Sequence, residues 1–258
     1  MTKTLGLLGI AGALSASAYS CPFCYDPKGL HIGETKVLGN GTVYSWVKLD
    51  DKGNPTGVGI TATAMALEGL PMEKPSTGFI GYEIPLKLPA EAKDTPFNHV
   101  AFDWNPLGHI PPGIYDVPHF DAHFYLMTPE ERNNITLVGE DLARTKKATP
   151  PGVMPDGYIM APGGEEKYMG MHWGQLSWPE FNGKPFVHSF IYGSYDGKLA
   201  FIEPMFTLAF LKSKPQVVVP FPQPKVYPAG KYFPTTYRIS FDEKRQEYTI
   251  ALEGMVKR

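Results

Sequence analysis

Val117-Pro118-His119-Phe120-Asp121-Ala122-His123-Phe124-Tyr125-Leu126 changes character at every second residue. Phe120, Ala122, Phe124 and Leu126 share one parity, and His119, Asp121, His123 and Tyr125 share the other. Successive side chains of a β-strand point to opposite faces, so one such strand turns an apolar row inward. The other row then lies on the opposite face of the sheet. That second row sets two imidazoles and a carboxylate along one line. The same reading makes β-structure the organising element of the chain.

Period-two alternation recurs on either side of this segment. Val43, Ser45, Val47 and Leu49 oppose Thr42, Tyr44, Trp46 and Lys48, and the turn chemistry of Asp51-Lys52-Gly53-Asn54 leads into a β-rich run from Val58 to Leu67. Phe79 to Leu86 and Val100 to Trp104 read as shorter strands. Tyr192 to Tyr195, Asp196-Gly197 and Leu199 to Leu211 read as a hairpin, because Asp-Gly tolerates the positive φ angles of a tight primed turn. Tyr237 to Phe241 and Tyr248 to Leu252 form a closing hairpin around Asp242-Glu243-Lys244-Arg245. One helix start is clear at Thr128-Pro129-Glu130-Glu131: an N-cap hydroxyl, Pro at the first helical position, then acids. It is expected to run to Asn134 or on into Leu142. Thr149 to Gly164 is dense in Pro and Gly and reads as a loop. The expected fold is mainly β: a single antiparallel β-sandwich-like domain over residues 42–258, with one or two short helices and long Pro/Gly-rich connections.

Composition narrows the partners. The 258 residues include 27 Gly and 26 Pro, which argues against a mainly helical chain. With 24 Lys and Arg against 26 Asp and Glu, and only Arg144, Lys146 and Lys147 tightly clustered, there is no cationic stripe for nucleic acid. Lys3, the apolar run Leu5 to Leu14 and Ala16-Ser17-Ala18 read in order as a signal peptide over residues 1–18, cleaved after Ala18. We therefore expect an exported protein, periplasmic or extracellular, with no transmembrane segment in the mature chain. Residues 19–41 form an N-terminal segment containing Cys21-Pro22-Phe23-Cys24. In an oxidising compartment Cys21 and Cys24 could pair as a local staple. A redox-active pair at this spacing sits at a helix N-terminus after a strand, and no strand precedes it here.

The chemistry centres on His119, Asp121 and His123. Strand positions two apart lie ~6.7 Å apart between Cα atoms, within chelating reach of one ion, whereas positions four apart lie ~13 Å apart. A single ion is therefore better served by His119 with Asp121, or by Asp121 with His123, the remaining ligands coming from elsewhere. His172 is the first choice, and His109, His188 and Glu203 are further candidates. The residues admit one divalent ion and do not distinguish zinc, iron or copper. Asp121 could equally hold both rings by hydrogen bonds with no metal. His119, Asp121 and His172 fit the order of a non-haem iron triad, but the cation that would bind an oxoglutarate cosubstrate soon after the distal His is missing. Met154, Met160, Met169, Met171 and Met205 suggest copper(I) less readily than core packing. Trp173, Trp178 and Tyr168 could line a pocket or simply fill a core.

The run Gly108-His109-Ile110-Pro111-Pro112-Gly113-Ile114-Tyr115-Asp116 followed by Val117 to Tyr125 resembles the signature of a bacterial family of unknown function. That family is typified by a homodecamer of a thermophile under envelope-stress (sigma-E) control. Met171-His172-Trp173-Gly174 and Phe201-Ile202-Glu203-Pro204-Met205 are similar to it as well. The resemblance implies a β-rich subunit of a closed, ring-like homo-oligomer and implies no established activity. The expected function is that of an exported, self-associating, envelope- or stress-related β protein with a metal or small-ligand site on its His-x-Asp-x-His strand. The alternative is a metal-dependent enzyme, non-haem-iron-like or hydrolytic, using the same cluster.

Overall fold

The computed structural model describes residues 28–77 and 79–258. The expected signal peptide and the Cys21–Cys24 pair lie outside the described residues. In chain order the strands are β1 (Leu30–Leu38), β2 (Gly41–Leu49), β3 (Pro55–Thr63), β4 (Tyr82–Lys87), β5 (His99–Asn105), β6 (His119–Tyr125), β7 (Tyr158–Glu166), β8 (Gly170–Gln175), β9 (His188–Tyr195), β10 (Lys198–Thr207), β11 (Gln216–Pro220), β12 (Tyr232–Phe233), β13 (Thr236–Asp242), β14 (Glu247–Glu253) and β15 (Val256–Lys257). Three short helices join them: α1 (Pro129–Asn133), α2 (Glu140–Thr145) and α3 (Leu208–Lys212). None of the helices among the described residues is long and apolar enough to cross a membrane.

Two large antiparallel sheets result, and β12 pairs with β15 in a small two-stranded one. One large sheet has the order β1-β2-β3-β14-β13-β11 and the other β4-β5-β6-β10-β9-β8-β7. They pack face to face through alternating apolar positions. Val43, Val58 and Ile60 of the first sheet join Ile239 and Ile250, and they meet Val100, Phe102, Phe120, Phe124, Ile202 and Tyr192 of the second. The mainly β, sandwich-like expectation therefore holds. The physical reason is that each strand carries one apolar row that only a facing sheet can remove from water.

Local signals account for the turns. Asp196 (φ 50°) and Gly197 (φ 77°) both take positive φ between β9 and β10, the primed turn that Asp-Gly favours. Thr128 caps α1: its hydroxyl accepts from the Glu131 amide at 3.2 Å while the Glu131 carboxylate accepts from the Thr128 amide at 2.8 Å.

Four expectations are corrected. The helix does not continue from Thr128 into Leu142; α1 ends at Asn133 and α2 is a separate turn beginning at Glu140. The run from Leu199 stops as a strand at Thr207, whose side chain accepts from the Phe210 amide and starts α3. The Pro/Gly-rich stretch ending at Gly164 is not all loop, because β7 pairs with β8 as an edge strand. Its register shifts between Met160 and Glu165, and an unpaired edge with such a shift tolerates Pro162. The β domain also begins at Leu30, upstream of residue 42, since β1 pairs with β2.

Candidate metal centre

β6 is central in its sheet, paired with β5 on one side and β10 on the other. Its two rows point as the alternation requires, Phe120, Ala122 and Phe124 into the sandwich and His119, Asp121, His123 and Tyr125 to the other face. That other face is not solvent-exposed; every residue of β6 is buried. Chain segments outside the sandwich cover it and bring Tyr115, Met169 and Phe186 onto Tyr125, Ile191, Phe201 and Met205 as a second apolar cluster. The long Pro/Gly-rich connections thus form a third layer over the polar row.

Under this layer lie most of the chain's histidines, in company with three carboxylates. Cross-strand pairing aligns Asp103 of β5 with Asp121 of β6. Antiparallel register likewise sets Glu203 of β10 level with His123, between the recorded pairs Ile202–Phe124 and Met205–Asp121. His172 reaches the same face from β8, opposite Gly193 of β9. His109 arrives from the β5–β6 loop. Gly108 turns that loop with φ 66°, and a Cβ there would stand 2.0 Å from the Tyr115 carbonyl oxygen. Only glycine fits this turn.

Two groups form, not one. In the first, His109 Nε2 and His119 Nε2 each lie 3.2 Å from a different oxygen of Asp121. In the second, His123 Nε2 and His172 Nε2 lie 3.4 and 3.9 Å from Glu203 Oε2. Within each group the three candidate ligand atoms lie within 4.8 Å of one another. Each group is two imidazoles and one carboxylate, a set that could hold a transition-metal ion. His119 and His123, four apart on an unbulged stretch, go to different groups, as the strand rise requires. Of the two Asp121 pairings considered from sequence, the structure makes the one with His119. His188 does not join either group. It points into the sandwich, 2.8 Å from the Tyr237 hydroxyl. Of the methionines, Met169 and Met205 pack in the second apolar cluster, and Met154 packs in the main core.

The ring orientations define protonation. His109 Nδ1 lies 2.7 Å from the Ile110 carbonyl, His119 Nδ1 2.7 Å from the Val117 carbonyl and His172 Nδ1 2.7 Å from the Gly164 carbonyl. A carbonyl only accepts, so each Nδ1 carries the proton and donates it. All three Nε2 atoms face a carboxylate; a neutral ring presents a lone pair there, whereas the raised His109 donates an Nε2 hydrogen to Asp121 Oδ2 at 3.2 Å. His123 differs: its Nδ1 sits 3.0 Å from Asp103 Oδ2, without hydrogen-bond alignment. Asn105 Nδ2 donates to Asp121 Oδ2 at 2.7 Å.

The energetics of burial are severe here. Among the described residues, the buried side-chain nitrogens and oxygens with no hydrogen-bond partner all sit on β5, β6 and β10. They include His119 Nε2, Asp121 Oδ1, both ring nitrogens of His123, Glu203 Oε2 and both carboxylate oxygens of Asp103. An unsatisfied buried polar atom costs about 1–3 kcal/mol, more when charged. Burial pushes His123 and His172 down to about 4 and so keeps them neutral. Burial also raises Glu203 and Asp103 well above the usual carboxylate range, with neighbouring carboxylates adding to the shift. Asp121 goes the other way. Burial opposes its charge, but the imidazoles of His119 and His109 beside it, with the hydrogen bond from His109, hold it well below the usual range. His109 is correspondingly raised, because its hydrogen bond and charge interaction with Asp121 outweigh burial.

A cavity of about 790 Å³ opens onto both groups. His109, Asp121, His123 and His172 line it on the sheet side, while Ile80, Ile114, Ile159 and Phe181 are among its apolar walls. Sequence reasoning missed Asp103 and Asn105, and with them Arg132 and Glu83, whose buried ion pair sits beside Tyr125. The available signal was a carboxylate inside the apolar run Val100 to Trp104.

The sequence model of the TTHB210-like family, described as hypothetical protein TTHB210, matches residues 50–104. This is a family of uncharacterised proteins, consistent with the resemblance carried by residues 108–125. The matched segment runs from the β2–β3 turn to β5 and includes Asp103. No curated protein and no solved structure matches the chain.

Proposed function

We propose that this chain is an exported, self-associating metalloprotein that holds a small, mainly apolar molecule against a divalent transition-metal ion at His109, His119 and Asp121. The observation that carries the reading is the pair of Nε2 atoms aimed at the two oxygens of one buried carboxylate. Both rings are locked in that orientation by Nδ1 hydrogen bonds to backbone carbonyls. Without an ion, His109 can donate to Asp121 Oδ2, but His119 Nε2 and Asp121 Oδ1 stay buried without a hydrogen-bond partner, and charging both rings in a buried site is costly. A cation between the three atoms satisfies all of them by coordination. The two 3.2 Å separations suit it, since ligands at about 2.0–2.1 Å in a tetrahedron stand about 3.3 Å apart. Ring nitrogens held by backbone carbonyls are the usual outer support of metal-binding histidines.

Imidazole and carboxylate ligands favour zinc, iron or manganese over copper(I). His109 and Asp121 face the cavity, so the ion would keep positions open towards it, as catalytic rather than closed structural sites do. Such an ion polarises a bound carbonyl or activates a water molecule. The cavity volume is within the range of small-molecule sites. This supports the metal-dependent enzyme reading more strongly than the strand alone did.

One observation favours the second reading, a non-catalytic assembly protein. Leu107, Ile110 and Leu176 at the cavity mouth are more than half exposed, and a neighbouring subunit would remove them from water. Export rests on the order of charge, apolar run and small residues in positions 1–18.

The test uses untagged protein stripped with EDTA and titrated with Zn²⁺ by calorimetry. Zinc at 100 times its Kd should stabilise the fold by about 2.7 kcal/mol, or about 5–11 °C in Tm. Asp121→Asn should abolish one class of site; unchanged zinc binding by that variant would refute the assignment. Light scattering after size exclusion should report a multimer, and a clean monomer at micromolar concentration would remove self-association.

A further inference from the structure

We infer that His123, His172 and Glu203 bind a second transition-metal ion, so that the cavity floor carries two ions on separate ligand sets. The two groups share no residue, and the second stands on its own observations.

The three side chains come from three strands, β6, β8 and β10. Their Nε2, Nε2 and Oε2 atoms nevertheless converge. Glu203 and His123 are each 1% exposed in their side chains. Glu203 Oε2 and His123 Nε2 have no hydrogen-bond partner. A buried carboxylate oxygen aimed at two ring nitrogens requires either a proton or a cation between them. The His172 ring is not free to supply that proton from Nε2, because Gly164 takes its Nδ1 hydrogen. The register shift in β7 is what turns that carbonyl onto the ring. Residues 161–164 lie in the shift, which stands opposite His172 between the pairs Met160–Trp173 and Glu165–Met171.

The separations of 3.4 and 3.9 Å are slightly longer than a tetrahedral edge. His172, the most exposed of the three, has the freedom to close them. Asp121 and His123 are two positions apart on β6, so the two centres stand roughly 7 Å apart along the strand. That is too far for one bridging carboxylate oxygen and close enough for one small molecule to touch both. His123 and His172 both line the cavity, so the second ion would also face it. The competing account is a proton shared by Glu203 and His123 with no metal.

The experiment is equilibrium dialysis of untagged, EDTA-stripped protein against Zn²⁺, with bound metal counted by mass spectrometry. Wild type should hold two equivalents, Glu203→Gln one, Asp121→Asn one, and the double variant none. Circular dichroism checks each fold. If Glu203→Gln does not fold, His172→Ala, at a partly exposed position, takes its place with the same expectation. One equivalent in wild type that disappears only in Asp121→Asn overturns this inference and leaves the first site standing. One equivalent that disappears only in Glu203→Gln does the reverse. Two equivalents retained by Glu203→Gln or His172→Ala would also overturn it, and no bound zinc in wild type sinks both.

Discussion

Replacing Gly193 by alanine tests whether the layer around the second metal group is as close-packed as the geometry states. Gly193 of β9 is directly opposite Phe201 of β10, and the aromatic ring lies across it. A Cβ at residue 193 would stand 2.0, 2.2 and 2.3 Å from Phe201 Cε1, Cζ and Cδ1. Ordinary contact begins at 3.4 Å, so the ring must retreat by about 1.4 Å, the difference 3.4 − 2.0. It has nowhere empty to go. Phe201 is fully buried, with the His123, His172 and Tyr125 rings at centroid distances of 4.9, 5.0 and 5.5 Å. Gly193 does not have a positive φ, so the backbone accepts alanine and the effect is steric alone. Overpacking of this kind costs about 1–3 kcal/mol, and a fully enclosed ring belongs at the upper end. Urea unfolding with linear extrapolation should show a loss of about 3 kcal/mol, or about 6–12 °C in Tm. Phe201→Leu in the same background should recover part of it, with a coupling of about 1 kcal/mol or more. Zinc should be weakened at the His123 group and not at Asp121. A Gly193→Ala variant within about 0.5 kcal/mol of wild type, or strict additivity with Phe201→Leu, would refute the packing argument.

Arg132→Met should destabilise the protein by about 3 kcal/mol. It removes the ion pair with the largely buried Glu83 and the donor to the Tyr168 carbonyl at 2.6 Å, and it uncovers the Tyr125 ring; a loss under about 1 kcal/mol in urea unfolding would contradict that. Metal-free protein should be most stable near about pH 6, with urea titrations in EDTA as the measurement. Asp103, Glu203 and His109 have raised folded-state pKa values, so the stability they contribute is lost as pH rises. His99, His123 and His172, each lowered to about 4 chiefly by burial, act oppositely. Their contribution is present above the unfolded value of 6.5 and is lost as pH falls towards 4. Metal-free stability that climbs steadily from about pH 7 to about pH 9 would show that these groups are solvated in the folded state.

Much of the architecture was readable from local pattern. The β6 alternation, the Asp196-Gly197 turn and the Thr128 cap each follow from a few adjacent residues, whose preferences are set within one turn or one strand step. β7 was hidden because its Pro and Gly residues imitate a loop, and only an edge position makes them tolerable. β8, which delivers His172, carries no clear alternation in Met171-His172-Trp173-Gly174. The site residues were mostly nameable as a set, but their grouping was not.

Two things came from the order of amino acids alone: a sandwich of antiparallel strands, and a row in which His119, Asp121 and His123 share one side of β6. Strand periodicity is local, so it needs no knowledge of neighbours. The pairing of His119 with His109, and of His123 with Glu203 and His172, was decided by the adjacency of β5, β6 and β10 and by the loops folded over them. These contacts join residues distant in the chain, and only packing three layers together brings them within a few ångströms. The same packing removed the polar row from water and turned a hydrophilic strand face into buried, partnerless ligand atoms.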